Sequence, residues 1–155
     1  MLGGSLGLAL RQRQLAAVVT GCVRRAASLD ECLRAGAVDE ATLDVQSAVR
    51  DADLVILCTP IGQMAELAAR FAPALRAGSV VTDVGSAKGS VVRAVEPLVA
   101  ATGGRFIGSH PMAGTEKTGV RSARADLYQG AVCVITPTSA SHREALAALI
   151  YAVNE

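Results

Sequence analysis

The chain has 155 residues, of which 51% are hydrophobic and 19% are charged, and its formal net charge is +1. This composition argues against disorder and indicates one folded domain. Aromatic residues make up 3% and the basic residues are spread along the chain, which disfavours nucleic acid as a partner. No apolar run approaches the roughly 20 residues that span a bilayer, and no secretory signal is evident, so we expect no membrane partner and a cytoplasmic protein.

The cysteines show neither the spacing of a metal site nor that of a redox pair. No Cys-x-x-Cys occurs, and Cys58 and Cys133 lie inside apolar, strand-like runs. A cysteine in such a run behaves as a small hydrophobic residue. We therefore expect reduced, buried thiols and no bound metal.

Apolar runs typical of buried strands alternate along the chain with segments typical of helices. This alternation predicts an α/β fold in which a doubly wound parallel sheet is covered by helices on both faces. No repeat, linker or second boundary is evident, so 1–155 is predicted to form one domain. The predicted elements are helix 4–13, strand 16–19, helix 28–34, helix 45–50, strand 54–58, helix 63–71, strand 80–83, helix 90–99, strand 105–107, strand 131–136 and helix 141–153.

Local patterns mark the ends of several helices. Ser28 with Glu31, and Ser141 with Glu144, have the spacing of a capping box, in which serine and glutamate bond to the free amides of a helix start. Gly36 lies where the second helix should stop.

The beginning of the chain matches only part of a known turn. A dinucleotide-binding unit opens with a strand and then G-x-G-x-x-G, a turn that brings backbone close to a pyrophosphate. The sequence Met1-Leu2-Gly3 matches the final x-x-G, with Gly3 as the glycine that packs the helix. In the usual strand order 3-2-1-4-5-6, the unmatched first strand would lie between the strands at 16–19 and 54–58. We therefore expect a fragment or a mis-assigned start, and the last predicted helix also stops midway.

Three predicted strands end in polar residues. Thr59-Pro60 follows the strand at 54–58, the segment from Asp83 to Lys88 follows the next, and His110 follows the strand at 105–107. The carboxyl ends of parallel strands share one edge of a sheet, so these residues are expected to line a single crevice.

The most informative segment is the glycine-hinged stretch 108–119, which contains His110 beside Pro111. The proline restricts the backbone of His110 to extended conformations and so sets the direction of its ring. A histidine presented in this way on a loop is suited to proton transfer. A structural histidine remains the alternative. His142 falls in the first turn of a predicted surface helix and is expected to be solvated.

Taken in order, these motifs resemble the nucleotide-binding domain of prephenate and arogenate dehydrogenases. The resemblance runs over nearly the whole chain, through 3–5, 58–60, 82–88, 108–119 and 134–138. Each motif alone is weak, but the ordered set is specific.

The resemblance implies a Rossmann-like sheet and NAD(P)-dependent oxidative decarboxylation of prephenate or arogenate in tyrosine biosynthesis. Family members continue into a helical dimerisation domain that supplies substrate contacts and that this chain lacks. We therefore expect little activity from the chain by itself. The sequence does not distinguish prephenate from arogenate.

The predicted cofactor contacts come from strand ends and the first helix. Backbone amides of Gly3, Gly4 and Ser5 can bind a phosphate at the helix N-terminus, although a tight turn capped by Ser5 explains them equally well. Where NAD-preferring domains place an acid, this chain has Val23, followed by Arg24 and Arg25. This favours NADP, with NAD possible, because arginine can bind a 2′-phosphate. The alternative is that both arginines are merely solvated.

Thr59 and Pro60 follow the strand at which the strand order reverses. They are expected to line the nicotinamide or ribose side of the crevice, unless Pro60 simply ends its strand. By resemblance, Ser86 hydrogen-bonds the ring hydroxyl of the substrate or the nicotinamide, and His110 takes the proton of that hydroxyl. Serine after glycine is also ordinary in turns. Lys88 could neutralise a substrate carboxylate or start the next helix from the solvent side.

Four further residues of the histidine segment are expected near the substrate. Glu116 could gate entry or pair with an arginine, but Glu116 and Lys117 could equally form a solvated charge pair. The predicted substrate-binding residues are Ser109, Thr115, Glu116 and Lys117.

Two other functions fit the same sheet topology. One is a different two-domain dehydrogenase, such as a 3-hydroxyacid dehydrogenase, although such enzymes have no reason to carry a His-Pro pair here. The other is a non-catalytic nucleotide-binding or regulatory remnant.

Overall fold

The computed structural model describes residues 1–114 and 116–154. They form two compact units: unit 1 contains 1–44 and 112–132, and unit 2 contains 45–111 and 133–154. The helices are α1 (Leu2–Gln12), α2 (Ala27–Arg34), α3 (Val45–Val49), α4 (Ile61–Phe71), α5 (Lys88–Ala100) and α6 (Arg143–Asn154). The strands are β1 (Thr20–Cys22), β2 (Glu40–Thr42), β3 (Leu54–Leu57), β4 (Val80–Asp83), β5 (Arg105–Phe106), β6 (Gly108–Pro111) and β7 (Cys133–Thr136).

Unit 1 is built around the parallel pair β1–β2, with Gly21 opposite Ala41. The first strand begins later than the sequence predicts, at Thr20 instead of residue 16. The amide of Val19 donates to the Asp39 carboxylate at 2.8 Å, and the Val19 carbonyl accepts from the Asp39 amide. The Glu40 amide also donates to the Val19 carbonyl at 3.3 Å. These bonds tie Val19 to the start of β2 partly through a side chain, and the regular ladder begins at Thr20, so the predicted strand 16–19 shares no residue with β1.

Helix α1 lies very close to the chain that leads into β2. A Cβ atom at Gly7 would lie 2.0 Å from the carbonyl oxygen of Ala37, nearer than any side chain can come. Gly7 therefore carries a close helix packing, which the sequence predicted for Gly3. Helix α2 ends as predicted, because Gly36 adopts a φ of +67°, a left-handed conformation suited to glycine.

Unit 2 contains the three-stranded parallel sheet β3–β4–β5, whose middle strand is β4. Apolar side chains of α3, α4 and α5 form its core with those of the sheet, and Val81, Phe71 and Val95 are fully buried. The strands at β3 and β4 were predicted nearly to the residue, since each is a continuous apolar run. Their parallel pairing is confirmed in register, with Leu54 opposite Val80.

The parallel strands form two separate hydrogen-bonded sheets, β1–β2 and β3–β4–β5. In the order 3-2-1-4-5-6 these correspond to strands 3-2 and 4-5-6. The α/β class with parallel strands is confirmed.

Two expectations about local structure are wrong. The strand β7 is antiparallel to β6 in a sheet of its own, not part of the parallel sheet. Neither capping box forms: Ser28 lies inside α2, which has no side-chain cap. The hydroxyl of Ser141 accepts from the Thr138 amide at 2.9 Å, and Glu144 pairs with Arg105.

Candidate active site

In unit 2, the loops after β3 and β4 emerge at one edge of the sheet. Leu57 and Asp83, the last residues of these strands, lie opposite each other. The register continues for one more bond, since the Val84 amide donates to the Leu57 carbonyl at 3.2 Å. Pro60 follows as the N-cap of α4 and is exposed, and Ser86 is exposed in the loop between β4 and α5. The sequence prediction that Pro60 and Ser86 follow neighbouring strands is confirmed.

A fully buried carboxylate, Asp83, ends β4. One of its oxygens accepts from the Gly85 amide at 2.9 Å and from the ammonium of Lys88. Its other oxygen accepts from the Ser109 amide at 3.2 Å. Lys88 also donates to the Ser109 carbonyl at 2.6 Å, and its side chain is only 14% exposed. A buried charge of this kind is tolerated because it is paired and hydrogen-bonded on both oxygens.

His110 lies in the strand β6, not in the loop that the sequence predicts. It pairs with Val134 of β7, and Pro111 pairs with Cys133 at the end of the same ladder. The extended backbone that Pro111 imposes on His110 is therefore met by strand pairing. The residue is half-buried, whereas Ser109 before it is buried. His110 therefore directly follows Ser109, which is bonded to Asp83 and Lys88 at the carboxyl end of β4.

The hydroxyl of Ser109 is used inside the protein. It donates to the Asp83 carbonyl at 2.7 Å and accepts from the Thr82 hydroxyl at 2.9 Å. A substrate contact through this hydroxyl, as predicted, would have to use its remaining acceptor lone pair, and the residue is buried. Lys88 differs from both expectations: it is the first residue of α5, but it points inward and is committed to Asp83 and Ser109.

Thr59 provides a test of whether this edge fits a nicotinamide cofactor. Its side-chain oxygen is buried and has no hydrogen-bond partner among the described residues. An unmet buried hydroxyl costs free energy, so such a group in a native site calls for an explanation such as a bound ligand. Its place just beyond β3, at the edge where Leu57 and Asp83 end, fits the predicted cofactor contact.

In unit 1, the start of α1 offers a helix N-terminus. Helix α1 begins at Leu2, and the first bond in it runs from the Ser5 amide to the Met1 carbonyl at 3.0 Å. The amides of Gly3 and Gly4 precede that bond and are available by helix geometry. The Ser5 amide is not, and its buried hydroxyl accepts from the Arg124 amide at 3.0 Å. The predicted phosphate contact therefore narrows to Gly3 and Gly4.

The residues after β1 are solvent-facing. The Val23 amide extends the strand pairing by donating to the Thr42 carbonyl at 3.0 Å. Arg24 and Arg25 follow and are exposed, and neither joins an ion pair within residues 1–114 and 116–154. Both guanidinium groups are thus uncommitted in the part of the chain that the structure describes.

Of the remaining predicted substrate residues, Glu116 and Lys117 are exposed in the 112–132 segment of unit 1. Thr115 lies outside the described residues. His142 is exposed, as expected for a solvated histidine.

The cysteines are all free thiols. Burial raises the pKa of the Cys58 thiol to about 12, and burial also raises the pKa of Cys133. By exposure, Cys32, Cys58 and Cys133 are half-buried, whereas Cys22 is exposed.

Sequence reasoning missed the link between Asp83, Lys88 and Ser109. An acidic residue at the end of an apolar run, with lysine five positions later, was the available indication. The pairing of Asp83 with Ser109 joins residues 26 positions apart, which no local pattern records.

The fold and the site define an α/β domain of the Rossmann-like, dinucleotide-binding class. Within the described residues, no helix is long and apolar enough to cross a bilayer. The chain belongs to the family described as "Prephenate dehydrogenase, nucleotide-binding domain", whose model matches residues 6–155. This match confirms the family that the ordered motifs predict.

Similar proteins include a cyclohexadienyl dehydrogenase of Zymomonas mobilis, 38% identical over 109 residues that cover 70% of this chain and 36% of that protein. The crystal structure of prephenate dehydrogenase from A. aeolicus in complex with hydroxyphenyl propionate and NAD+ has a TM-score of 0.90 and 30% identity, covering 99% of this chain and 53% of that one. Arogenate dehydrogenase of Synechocystis has a TM-score of 0.90 and 31% identity, covering 99% and 52%. The chain thus spans about half or less of the length of these relatives.

Proposed function

We propose that this chain provides the dinucleotide-binding part and the proton acceptor of a dehydrogenase that oxidatively decarboxylates prephenate or arogenate in tyrosine biosynthesis. The observation that carries the proposal is His110, half-buried on β6 directly after Ser109, which is bonded to the end of β4. The similarity to prephenate, cyclohexadienyl and arogenate dehydrogenases supports the reaction class.

A nicotinamide dinucleotide supplies the hydride acceptor when it is bound. An imidazole nitrogen of His110 accepts the proton of the substrate's ring hydroxyl as that carbon becomes carbonyl-like. General base catalysis of this kind typically contributes about 100- to 10,000-fold in rate. The Ser86 hydroxyl, exposed beyond β4, holds the same ring hydroxyl in place. Loss of the ring carboxylate as CO2 yields an aromatic ring, which makes the reaction favourable.

For the cofactor, we propose three sets of contacts. Amides of Gly3 and Gly4 bind a phosphate at the start of α1, where the helix dipole favours negative charge. The hydroxyl of Thr59 and the backbone of Pro60 contact the nicotinamide or ribose. NADP is preferred over NAD because Arg24 and Arg25 are exposed and uncommitted after Val23, at the end of β1.

For the substrate, we propose contacts with Thr115, Glu116 and Lys117. Prephenate and arogenate differ in a side-chain ketone or amine, and both remain candidates. Lys88, which donates to the Ser109 carbonyl, is already committed to Asp83. Because this cation is not free for a substrate carboxylate, we propose that the 155-residue chain alone converts prephenate or arogenate slowly. We also propose, from the family resemblance, that the native polypeptide containing it forms a homodimer.

The test is His110→Asn in the native polypeptide that carries this chain, with His142→Asn as the matched control. Asparagine keeps a polar side chain but cannot take the proton. We expect turnover, followed by the absorbance of reduced nicotinamide, to fall by about 100- to 10,000-fold. The dissociation constant for NADP, measured by fluorescence titration, should stay unchanged, and His142→Asn should behave as wild type.

Unchanged turnover in His110→Asn would contradict the assigned role. Dinucleotide binding without turnover of prephenate or arogenate in the wild type would favour a nucleotide-binding module instead. Turnover of 3-hydroxyacids would favour the other dehydrogenase class.

A further inference from the structure

We propose that Lys88 is a positioning residue for His110 and acts through Asp83 and Ser109. Its ammonium joins the carboxylate at the end of β4 to the carbonyl of the residue that precedes His110. The catalytic consequence rests on the proposed function, whereas the anchoring itself can be measured without turnover.

The anchor holds both main-chain groups of Ser109. The Ser109 amide donates to one oxygen of Asp83 at 3.2 Å, and the Ser109 carbonyl accepts from Lys88 at 2.6 Å. The other oxygen of Asp83 accepts from Lys88 and from the Gly85 amide at 2.9 Å. Carboxylate, ammonium and the peptide groups of Ser109 thus form a closed circuit of bonds.

This circuit takes the place of a strand ladder. Strand β6 pairs with β7 in a separate sheet and is not hydrogen-bonded into β3–β4–β5 as a strand. Its tie to β4 is made through the Asp83 side chain and through the Ser109 hydroxyl, which donates to the Asp83 carbonyl at 2.7 Å. Without Lys88, the Ser109 carbonyl would lose its charged donor, and a buried carboxylate would lose its counter-ion.

The orientation of His110 follows from the position of Ser109. Successive side chains in a strand point to opposite faces. Ser109 is 4% exposed and bonded inward, so His110 is turned to the other face, where it is half-buried. A shift of Ser109 would move the imidazole, and misplacement by about 1 Å can cost about 100-fold in rate.

The experiment uses the native polypeptide with three variants. Lys88→Met removes the cation. Asp83→Asn combined with Lys88→Met removes both charges while keeping side chains of similar size. This double variant should fold even if Lys88→Met alone does not. Lys88→Arg restores a cation. The matched control, Asp53→Asn with Arg76→Met, removes an exposed ion pair from the same unit.

Two readouts are compared. Hydrogen exchange of the Ser109 amide, measured by NMR without dinucleotide, should become about tenfold faster in the charge-free double variant, because the Ser109 carbonyl loses its donor and the bond from the Ser109 amide to a neutral amide oxygen is weaker than the bond to a carboxylate. Its kcat should fall by about 100-fold, with KM for the substrate and the dissociation constant for NADP unchanged. Lys88→Arg should recover part of kcat, and the control pair should change neither readout.

A rise in KM with kcat unchanged would overturn the proposal, because it would mean that Lys88 binds the substrate carboxylate. Unchanged Ser109 exchange in the folded double variant would also overturn it. If the wild type shows no turnover, the proposed function fails, and faster Ser109 exchange would still support the anchor.

Discussion

Replacing Gly7 with alanine should destabilise unit 1, because the added methyl group has no room. It would lie 2.0 Å from the Ala37 carbonyl oxygen, 3.1 Å from the Ala37 carbonyl carbon and 3.7 Å from a methyl group of Val19. The first atom belongs to backbone, so no side-chain rotation can relieve the overlap. The helix α1 and the chain before β2 must separate by about 1 Å or more, since non-bonded heavy atoms prefer about 3.5–4.0 Å.

Two terms of opposite sign set the magnitude. Overpacking of a tight interior typically costs about 1–3 kcal/mol, and a backbone overlap belongs at the upper end. Alanine in place of glycine inside a helix returns about 0.5–1 kcal/mol. Taking about 3 kcal/mol for the overlap, we therefore expect Gly7→Ala to lower the free energy of unfolding by about 2–2.5 kcal/mol.

Urea unfolding followed by circular dichroism measures this difference. The control is Gly62→Ala in α4, where a Cβ atom would have nothing within 4 Å. That variant should gain about 0.5–1 kcal/mol from helix propensity alone. A Gly7→Ala protein as stable as wild type, or shifted in the same direction as Gly62→Ala, would refute the packing argument.

Three further predictions concern the cofactor edge and the buried thiol. Val23→Asp should shift the ratio of NAD to NADP affinity towards NAD by about tenfold, or 1.4 kcal/mol, because a carboxylate repels the 2′-phosphate. Titration with both dinucleotides measures this ratio, and an unchanged ratio would speak against the role of this strand end. Thr59→Val should raise the free energy of unfolding by about 1 kcal/mol, because it removes a buried hydroxyl without a partner among the described residues. The same variant should weaken dinucleotide binding, and equal stability and affinity would contradict the assignment. Burial raises the pKa of Cys58 from 9.0 to about 12, so the folded state keeps a proton that the unfolded state loses. The free energy of unfolding should therefore fall as pH rises from 9.0 towards 12, and Cys58→Ala should flatten that slope in pH-dependent urea titrations.

How far the sequence predicts this fold depends on how local the cause is. Strands β3 and β4 were predicted well because each is a continuous apolar run buried in the sheet. Strand β2, Glu40–Thr42, was missed because it has three residues and only one apolar side chain. For β6 the sequence predicts a loop, since Gly-Ser-His-Pro has the composition of a turn. Its conformation is decided by pairing with β7, more than 20 residues later.

The same distinction applies to the site. Local motifs point to His110 and Ser86, and the structure places His110 within β6 and Ser86 in the loop after β4. The committed hydroxyl of Ser109 and the inward direction of Lys88 depend on Asp83, which is distant from Ser109 in sequence. The capping boxes failed for a related reason. Helix α2 starts one residue before Ser28, so the serine is inside the helix instead of at its cap.

The buried pair of Asp83 and Lys88 limits how this chain can diverge. Removing either partner leaves an uncompensated interior charge, at about 3–5 kcal/mol, a large part of the stability of an ordinary domain. Neither residue can therefore be substituted alone without a large loss of stability. A version of the domain without these two charges is reached only if both codons change nearly together. Descendants of this sequence should retain or lose aspartate and lysine as a unit, so an intact pair five residues apart is a marker by which related domains can be recognised.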